Sequence, residues 1–190
     1  MSENRLKEKD SIQKHHLIKK ESDKILFTNS YGYFITITQK HLIPTAGIDE
    51  SNSPNQKYYI LYPKNPLKTL EKLHQQLCSH YNLKELGLLM VDSKSTPLRR
   101  GTTGFCLSHF GLFGLDNHIG KTDLFGQTVK SSQTNIVDSL ASSAVLSMGE
   151  SNEQTPLCLI NYDGPLSFNK GDSKECIVEA QDDLFHKFFE

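Results

Sequence analysis

Hydrophobic and polar positions alternate with two different periods along this chain, and the switches between them mark out its elements. The run Y-G-Y-F-I-T-I-T-Q (31–39) alternates and is rich in β-branched and aromatic residues, which predicts a strand on a half-buried pleated surface. Residues 57–62 read likewise, and the polar stretch 49–55 between them, broken by Pro54, predicts an exposed loop. Asn65 and Pro66 supply a cap and a first-turn proline. Leu67, Leu70, Leu73 and Leu77 then recur on one face, so a helix that packs on a sheet is expected. Residues 86–91 form an unbroken apolar run, the pattern of a strand buried on both faces, with Asp92 and Ser93 at its carboxyl end. A second helix is predicted over 135–148. Asn135 is its cap, Asp138 an acidic residue in its first turn, Ile136, Val137, Leu140, Ala141, Ala144, Val145 and Met148 its apolar positions, and Gly149 its stop. A last apolar run, 156–160, reads as one more strand.

The polar residues 1–24 carry only Ile12, Leu17 and Ile18 as a weak helical face, so their order depends on packing supplied by the rest of the chain. We therefore expect a polar amino-terminal segment over 1–24 and one folding domain over 25–190, of α+β class with mixed sheets and packed helices. A chain of 190 residues is long enough for one compact domain with a substantial core.

Composition narrows the partners. Lys and Arg number 21 against 22 Asp and Glu, a formal net charge of -1, so there is no global basic field to hold nucleic acid or an anionic membrane. The four cysteines, Cys78, Cys106, Cys158 and Cys176, lie far apart with no CxxC pair and no histidine at zinc-ligand spacing. Reduced, buried thiols in a soluble cytoplasmic protein are expected, since no apolar run reaches signal-peptide or membrane-spanning length.

Three carboxylates stand at the ends of predicted elements: Asp49 after an apolar approach, Asp92 after the buried strand, and Glu150 directly after the second helix. Oxygen donors from separate elements can converge on magnesium or manganese beside phosphates. Acidic residues also occupy such turns for solubility alone, and spacing does not separate the two readings. In P-L-R-R-G-T-T-G (97–104), Arg99 and Arg100 pair with glycines that allow close backbone approach, which suits a phosphate or carboxylate. The stretch G-L-D-N-H-I-G-K-T (114–122) resembles a P-loop only superficially, because its glycine spacing is wrong and no buried strand precedes it. Gly120, Asp123 and Gly126 instead shape a tight loop. None of the eight histidines falls in a ligand pattern, and no serine or cysteine sits in a nucleophile signature, so no covalent enzyme intermediate is expected.

Taken together, the blocks A-G-I-D-E-S-N (46–52), V-D-S followed by P-L-R-R-G-T-T-G, I-G-K-T-D-L-F-G-Q, V-D-S-L-A-S-S-A and M-G-E-S-N-E-Q-T-P-L resemble the coenzyme F420-0:L-glutamate ligase family, in the family's order, over about 19–160. The wording of D-E-S-N, D-S-K-S-T-P-L and N-E-Q-T-P-L is similar to the bacterial branch described as folate-metabolism gamma-glutamate ligases. The resemblance implies a gamma-glutamyl ligase fold and a cytoplasmic homodimer. It also implies an acceptor that is a folate or, in the alternative reading, the deazaflavin coenzyme, and the partners L-glutamate and GTP or ATP with Mg2+ or Mn2+, K+ also being compatible. Carried over by position, Asp49, Asp92, Ser93 and Glu150 are the implied metal ligands. Asn52, Met148, Gly149, Asn152, Glu153, Gln154 and Thr155 are the implied nucleotide contacts, and Arg99 and Arg100 the groups that hold a phosphate or glutamate carboxylate during catalysis. The implied chemistry is attack of the acceptor carboxylate on the gamma-phosphate, followed by displacement of phosphate from the acyl phosphate by the amine of glutamate.

Two departures from the family pattern stand out. The chain opens with Ser2, Glu3, Asn4 and Arg5, as though cut inside an S-K-x-x-S-x-x-E-G-R motif, so an amino-terminal nucleotide-binding segment with its lysine is expected to be missing. Either the true start lies upstream, or the chain is a nucleotide- or metal-binding remnant without catalysis. Ser151 stands where the family has glycine, and a side chain there restricts backbone approach to a nucleotide.

Overall fold

Antiparallel pairing and helix packing divide the chain into two compact units, one built from Met1–Asn65 and Ile177–Glu190, the other from Pro66–Cys176. The first helix, which lies in the polar amino-terminal stretch, is folded into the core of the first unit. The computed structural model describes residues 5–9, 13–168 and 173–189. Ile12, Ser2, Glu3 and Asn4, which entered the sequence reading, lie outside the described residues.

In the first unit, strand β1 (Leu6–Glu8) is followed by helix α1 (Lys14–Glu21), then by β2 (Lys24–Thr28), β3 (Phe34–Thr38), β4 (His41–Pro44) and β5 (Tyr58–Ile60). β2, β3 and β4 form one antiparallel sheet and β1 pairs antiparallel with β5. Helix α1 is amphipathic only through Leu17 and Ile18, yet these two are 1% and 2% exposed and pack with Ala46, Ile48, Tyr59 and Leu61. A short weak helix is therefore ordered by tertiary burial, as its composition requires. The alternating run over 31–39 gives a strand only from Phe34, because Asn29 Oδ1 accepts from the backbone N–H of Tyr31 and Tyr33 at 3.0 and 2.9 Å and closes a turn.

In the second unit, helix α2 (Pro66–Tyr81) leads to β6 (Leu88–Ser95), β7 (Thr102–Phe110), β8 (Leu115–Asn117), β9 (Gln133–Asn135) and helix α3 (Ile136–Met148). β6 and β7 form an antiparallel hairpin, and β8 pairs with β9. Both α2 and α3 pack on the hairpin, as expected of the Leu70 face of α2. The register slips between Met90 and Val91, so that Val91 faces Cys106 while Met90 faces Ser108, leaving Leu107 as the extra residue of a β-bulge. With that insertion Cys106 and His109 share a face, since their partners Val91 and Leu89 are two residues apart.

Helix α3 also covers the open edge of β7. Asp138 Oδ1 accepts from the Cys106 N–H at 2.8 Å, and Ser142 Oγ donates to the Gly104 carbonyl at 2.8 Å. Residues 138 and 142 are one turn apart on the helix, so its polar row completes hydrogen bonds that an edge strand leaves open. Contact is close enough that a Cβ on Gly104 would lie 2.5 Å from the Ala141 carbonyl oxygen. At the amino end, Asn135 Oδ1 accepts from the Asp138 N–H at 3.0 Å, which is the predicted cap.

Two sequence expectations give way here. The run at 86–91 does not make a strand buried on both faces: the strand starts at Leu88, extends to Ser95 and is half-buried for most of its length, because it has one partner strand in a two-stranded sheet. Asp92 and Ser93 thus lie within it rather than beyond its end. The run at 156–160 forms no strand; Leu157 and Leu159 are 81% and 93% exposed. Apolar composition gives a strand only where another strand offers a hydrogen-bonded edge. The cysteines are free, with Cys106 buried, Cys78 and Cys176 half-buried and Cys158 exposed, so the expected burial of thiols does not extend to Cys158. The α+β class is as expected, and no helix among the described residues is long and apolar enough to cross a membrane.

Candidate functional site

The β6–β7 hairpin and the carboxyl end of α3 bring three sequence blocks of the second unit to one place. Ser93 lies on β6 opposite Gly104, on the face shared with Val91 and Cys106. Its hydroxyl donates to Glu150 Oε2 at 2.9 Å, and the Thr102 hydroxyl, first on β7, donates to Glu150 Oε1 at 3.5 Å. Glu150 owes its place to the stop of α3. Gly149 leaves the helix at φ +83, where a side chain is strained, and its N–H donates to the Val145 carbonyl at 2.9 Å. Thr102 belongs to the R-R-G-T-T-G block, whose hydroxyls are expected hydrogen-bond donors.

Asp92 does not join this cluster through its own strand. It pairs with Phe105 and alternates to the face opposite Ser93, next to Lys94, whose ammonium sits 4.7 Å from the centre of the Phe105 ring. Burial holds the Lys94 pKa below the usual lysine value, with Asp138 acting in the opposite direction. Asp49 belongs to the first unit. Its carboxylate is a turn-former there: Oδ1 accepts from the N–H groups of Glu50 and Ser51 at 2.6 and 2.9 Å, and the Ser51 hydroxyl reaches the same oxygen at 2.8 Å. Asn52 follows in an exposed left-handed conformation at φ 50.

Arg99 and Arg100 are exposed in the loop that joins β6 to β7, between Leu98 at φ 60 and Gly101 at φ +88. The loop closes on Ser95 and Thr102, so both guanidinium groups belong to the connection that ends at the Glu150 partner. The segment after α3 folds on itself. Glu153 Oε2 accepts from the Ser151 N–H at 2.8 Å, which holds the Glu153 carboxyl below its ordinary pKa, and Thr155 Oγ1 donates to the Glu153 carbonyl at 3.1 Å. Gly149 is favoured in this turn by its φ of +83, which strains a side chain, while the Glu153 carboxyl group packs directly over it. Gln154 takes φ 56, and Met148, Asn152 and Thr155 complete a compact turn of exposed or half-buried groups beside Glu150.

What the second unit assembles is a set of hard oxygen donors, one carboxylate and two hydroxyls, flanked by a cationic loop and a polar turn. That donor chemistry fits magnesium or manganese, which take oxygen ligands and keep water.

The family model described as F420-0:Gamma-glutamyl ligase matches residues 3–161. A protein of Methanococcus maripaludis (strain C7) named Coenzyme F420:L-glutamate ligase is 35% identical over 154 residues, covering 80% of this chain and 60% of the relative. Relatives of the same name are 32% identical over 154 residues in Methanocaldococcus jannaschii and 30% identical over 136 residues in Methanosarcina mazei. They cover 80% and 71% of this chain and 60% and 52% of the relative. The chain thus spans about 60% of the length of the first of these relatives.

Proposed function

The chain belongs to the F420-0:gamma-glutamyl ligase family, and from that membership we propose that it joins L-glutamate, through a gamma-glutamyl amide, to a coenzyme F420-type acceptor. The relatives' names carry that acceptor, so it takes precedence over the folate to which the wording of the blocks pointed. The observation that carries the reading is the meeting of Ser93, Thr102 and Glu150, which draws three separated sequence blocks to one oxygen-rich cluster.

Glu150 and Ser93 are the proposed holders of a magnesium or manganese ion in the second unit, with Thr102 beside them. A bound divalent cation would neutralise charge on the phosphates of GTP or ATP. The turn over 148–155 offers backbone N–H groups and small polar side chains to the nucleotide. Arg99 and Arg100 offer planar forks that match the oxygens of a phosphate or carboxylate. In the proposed reaction a carboxylate oxygen of the acceptor attacks the gamma-phosphorus, and the nucleoside diphosphate leaves. The amine of glutamate then attacks the acyl carbon, inorganic phosphate leaves, and one proton passes to solvent. Asp49 and Asp92 remain candidates for cation binding, each to be judged by its own substitution. Exposed Leu146, Leu157 and Leu159 supply apolar surface that supports self-association as a homodimer.

The test is incubation with L-glutamate, GTP and Mn2+ or Mg2+, with coenzyme F420-0 as acceptor in one arm and a reduced folate in another, followed by mass spectrometry. Gain of one glutamyl unit on the deazaflavin acceptor, with release of GDP, is the expected result. Extension of the folate alone would restore the folate reading. Metal-dependent GTP binding with no product in any arm would leave a binding module.

A further inference from the structure

On the same face of the β6–β7 hairpin as Ser93, but at its Leu89 end, three different donor types converge. His109 Nε2 lies 3.1 Å from Glu175 Oε1, and the ligand atoms of His109, Glu175 and Cys176 all fall within 4.8 Å of one another. Among the described residues this is where a histidine, a carboxylate and a thiol approach so closely. The imidazole is 1% exposed, while the Glu175 side chain keeps 26% of its surface open. We propose that His109, Glu175 and Cys176 form a binding site for a zinc-class divalent cation, distinct in chemistry from the oxygen cluster at Glu150.

The backbone is shaped around these three groups. The β-bulge at Leu107 turns His109 to the face that Cys106 occupies, where regular alternation would send the two to opposite faces. Cys176 packs against the core cluster of Cys106, Leu112, Val137 and Ala141 on that side. The Gly114 N–H donates to Glu175 Oε1 and orients the carboxylate, as groups around a metal commonly orient its ligands. Gly114 also yields space: a Cβ there would lie 2.5 Å from Cys176 Sγ and 2.9 Å from His109 Cε1. Imidazole nitrogen, carboxylate oxygen and thiolate sulfur are zinc donors, whereas a thiolate is a poor ligand for magnesium or manganese. Three protein ligands leave a fourth position for water, on the open side at Glu175.

Uptake of the ion requires His109 Nε2 to present its lone pair, with the ring proton on Nδ1, and Cys176 to lose its thiol proton to solvent. The bound ion would tie the short helical turn Ser173–Cys176 to strand β7.

Titration with Co2+, which takes zinc's place and is visible by absorption, tests the site without any ligase substrate. One equivalent is expected to give an intense thiolate-to-cobalt charge-transfer band that Zn2+ abolishes and excess Mg2+ does not. Cys176→Ser should remove the band, and Glu175→Gln should weaken Zn2+ binding by about 10-fold or more. Cys78→Ser should leave the band intact, because Cys78 has its own histidine neighbour, His74, with Nε2 3.7 Å away. No thiolate band in the wild-type protein, a band that survives Cys176→Ser, or one lost in Cys78→Ser would each overturn the assignment. Circular dichroism of each variant establishes that the chain is folded when the band is read.

Discussion

Ser93 and Glu150 lie 57 positions apart in sequence, and the hydroxyl of the first donates to the carboxylate of the second at 2.9 Å. The contact joins the middle of a strand to the residue after a helix. It exists because α3 is pinned along the edge of β7 and ends abruptly at Gly149.

If Glu150 holds a divalent cation, Glu150→Gln removes the charge while keeping the shape. Mn2+ affinity should fall by at least about 10-fold, Ser93→Ala should have a smaller effect in the same direction, and thermal unfolding should be unchanged because Glu150 is exposed. Calorimetric titration reads the affinity; equal Mn2+ binding in wild type and Glu150→Gln would remove Glu150 from the site.

The seat of α3 depends on Asp138, which shares in the Asn135 cap and accepts the Cys106 N–H from the strand edge. Asp138→Ala leaves that backbone donor unpaired in a partly buried place. It should cost about 1–3 kcal/mol in urea denaturation, against about 1 kcal/mol for Asn135→Ala, which removes the cap alone.

Gly104→Ala is expected to act through overpacking. Its Cβ would meet the Ala141 carbonyl and the Val145 side chain at 2.5 and 2.8 Å, so the helix must shift, at about 1–3 kcal/mol. Because the same helix carries Glu150, Mn2+ binding should weaken with stability. A Gly104→Ala protein with wild-type stability and Mn2+ affinity would show that α3 does not position Glu150.

Stability of the first unit should carry an acid-sensitive component from Glu50, which pairs with Lys14 and, at 3.1 Å, with Lys9. Lys14 is the largest cause that holds the Glu50 pKa below its ordinary value. A carboxyl that is more acidic in the folded state stabilises above its unfolded pKa and loses that contribution as pH falls through the folded value. Glu50→Gln should therefore lower stability at pH 7, on the order of 0.5 kcal/mol for a solvent-screened pair, and the difference should vanish in acid. A difference that persists below pH 3 would mean the effect is not electrostatic.

The helices α2 and α3, the cap at Asn135, the stop at Gly149 and the strands β3 and β5 were all legible in the sequence, since each rests on local periodicity and on residues that terminate it. Family blocks likewise named Ser93 and Glu150, whose side chains meet in the second unit. Periodicity could not find the bulge at Leu107, because one inserted residue is invisible until the partner strand sets the register. The run at 156–160 carried a strand's composition without a strand's partner. His109, Glu175 and Cys176 gave no motif at all, with His109 and Glu175 sixty-six positions apart.

What the linear order of residues determined by itself is where α2 begins and where α3 begins and ends, because caps, glycines and apolar spacing act over a few bonds. Which side chains meet was decided only in three dimensions. Alternation sends Asp92 and Ser93 to opposite faces of one strand, and the bulge brings His109 round to Cys176, since direction in a sheet depends on register with a distant segment and not on the identity of the residue that points.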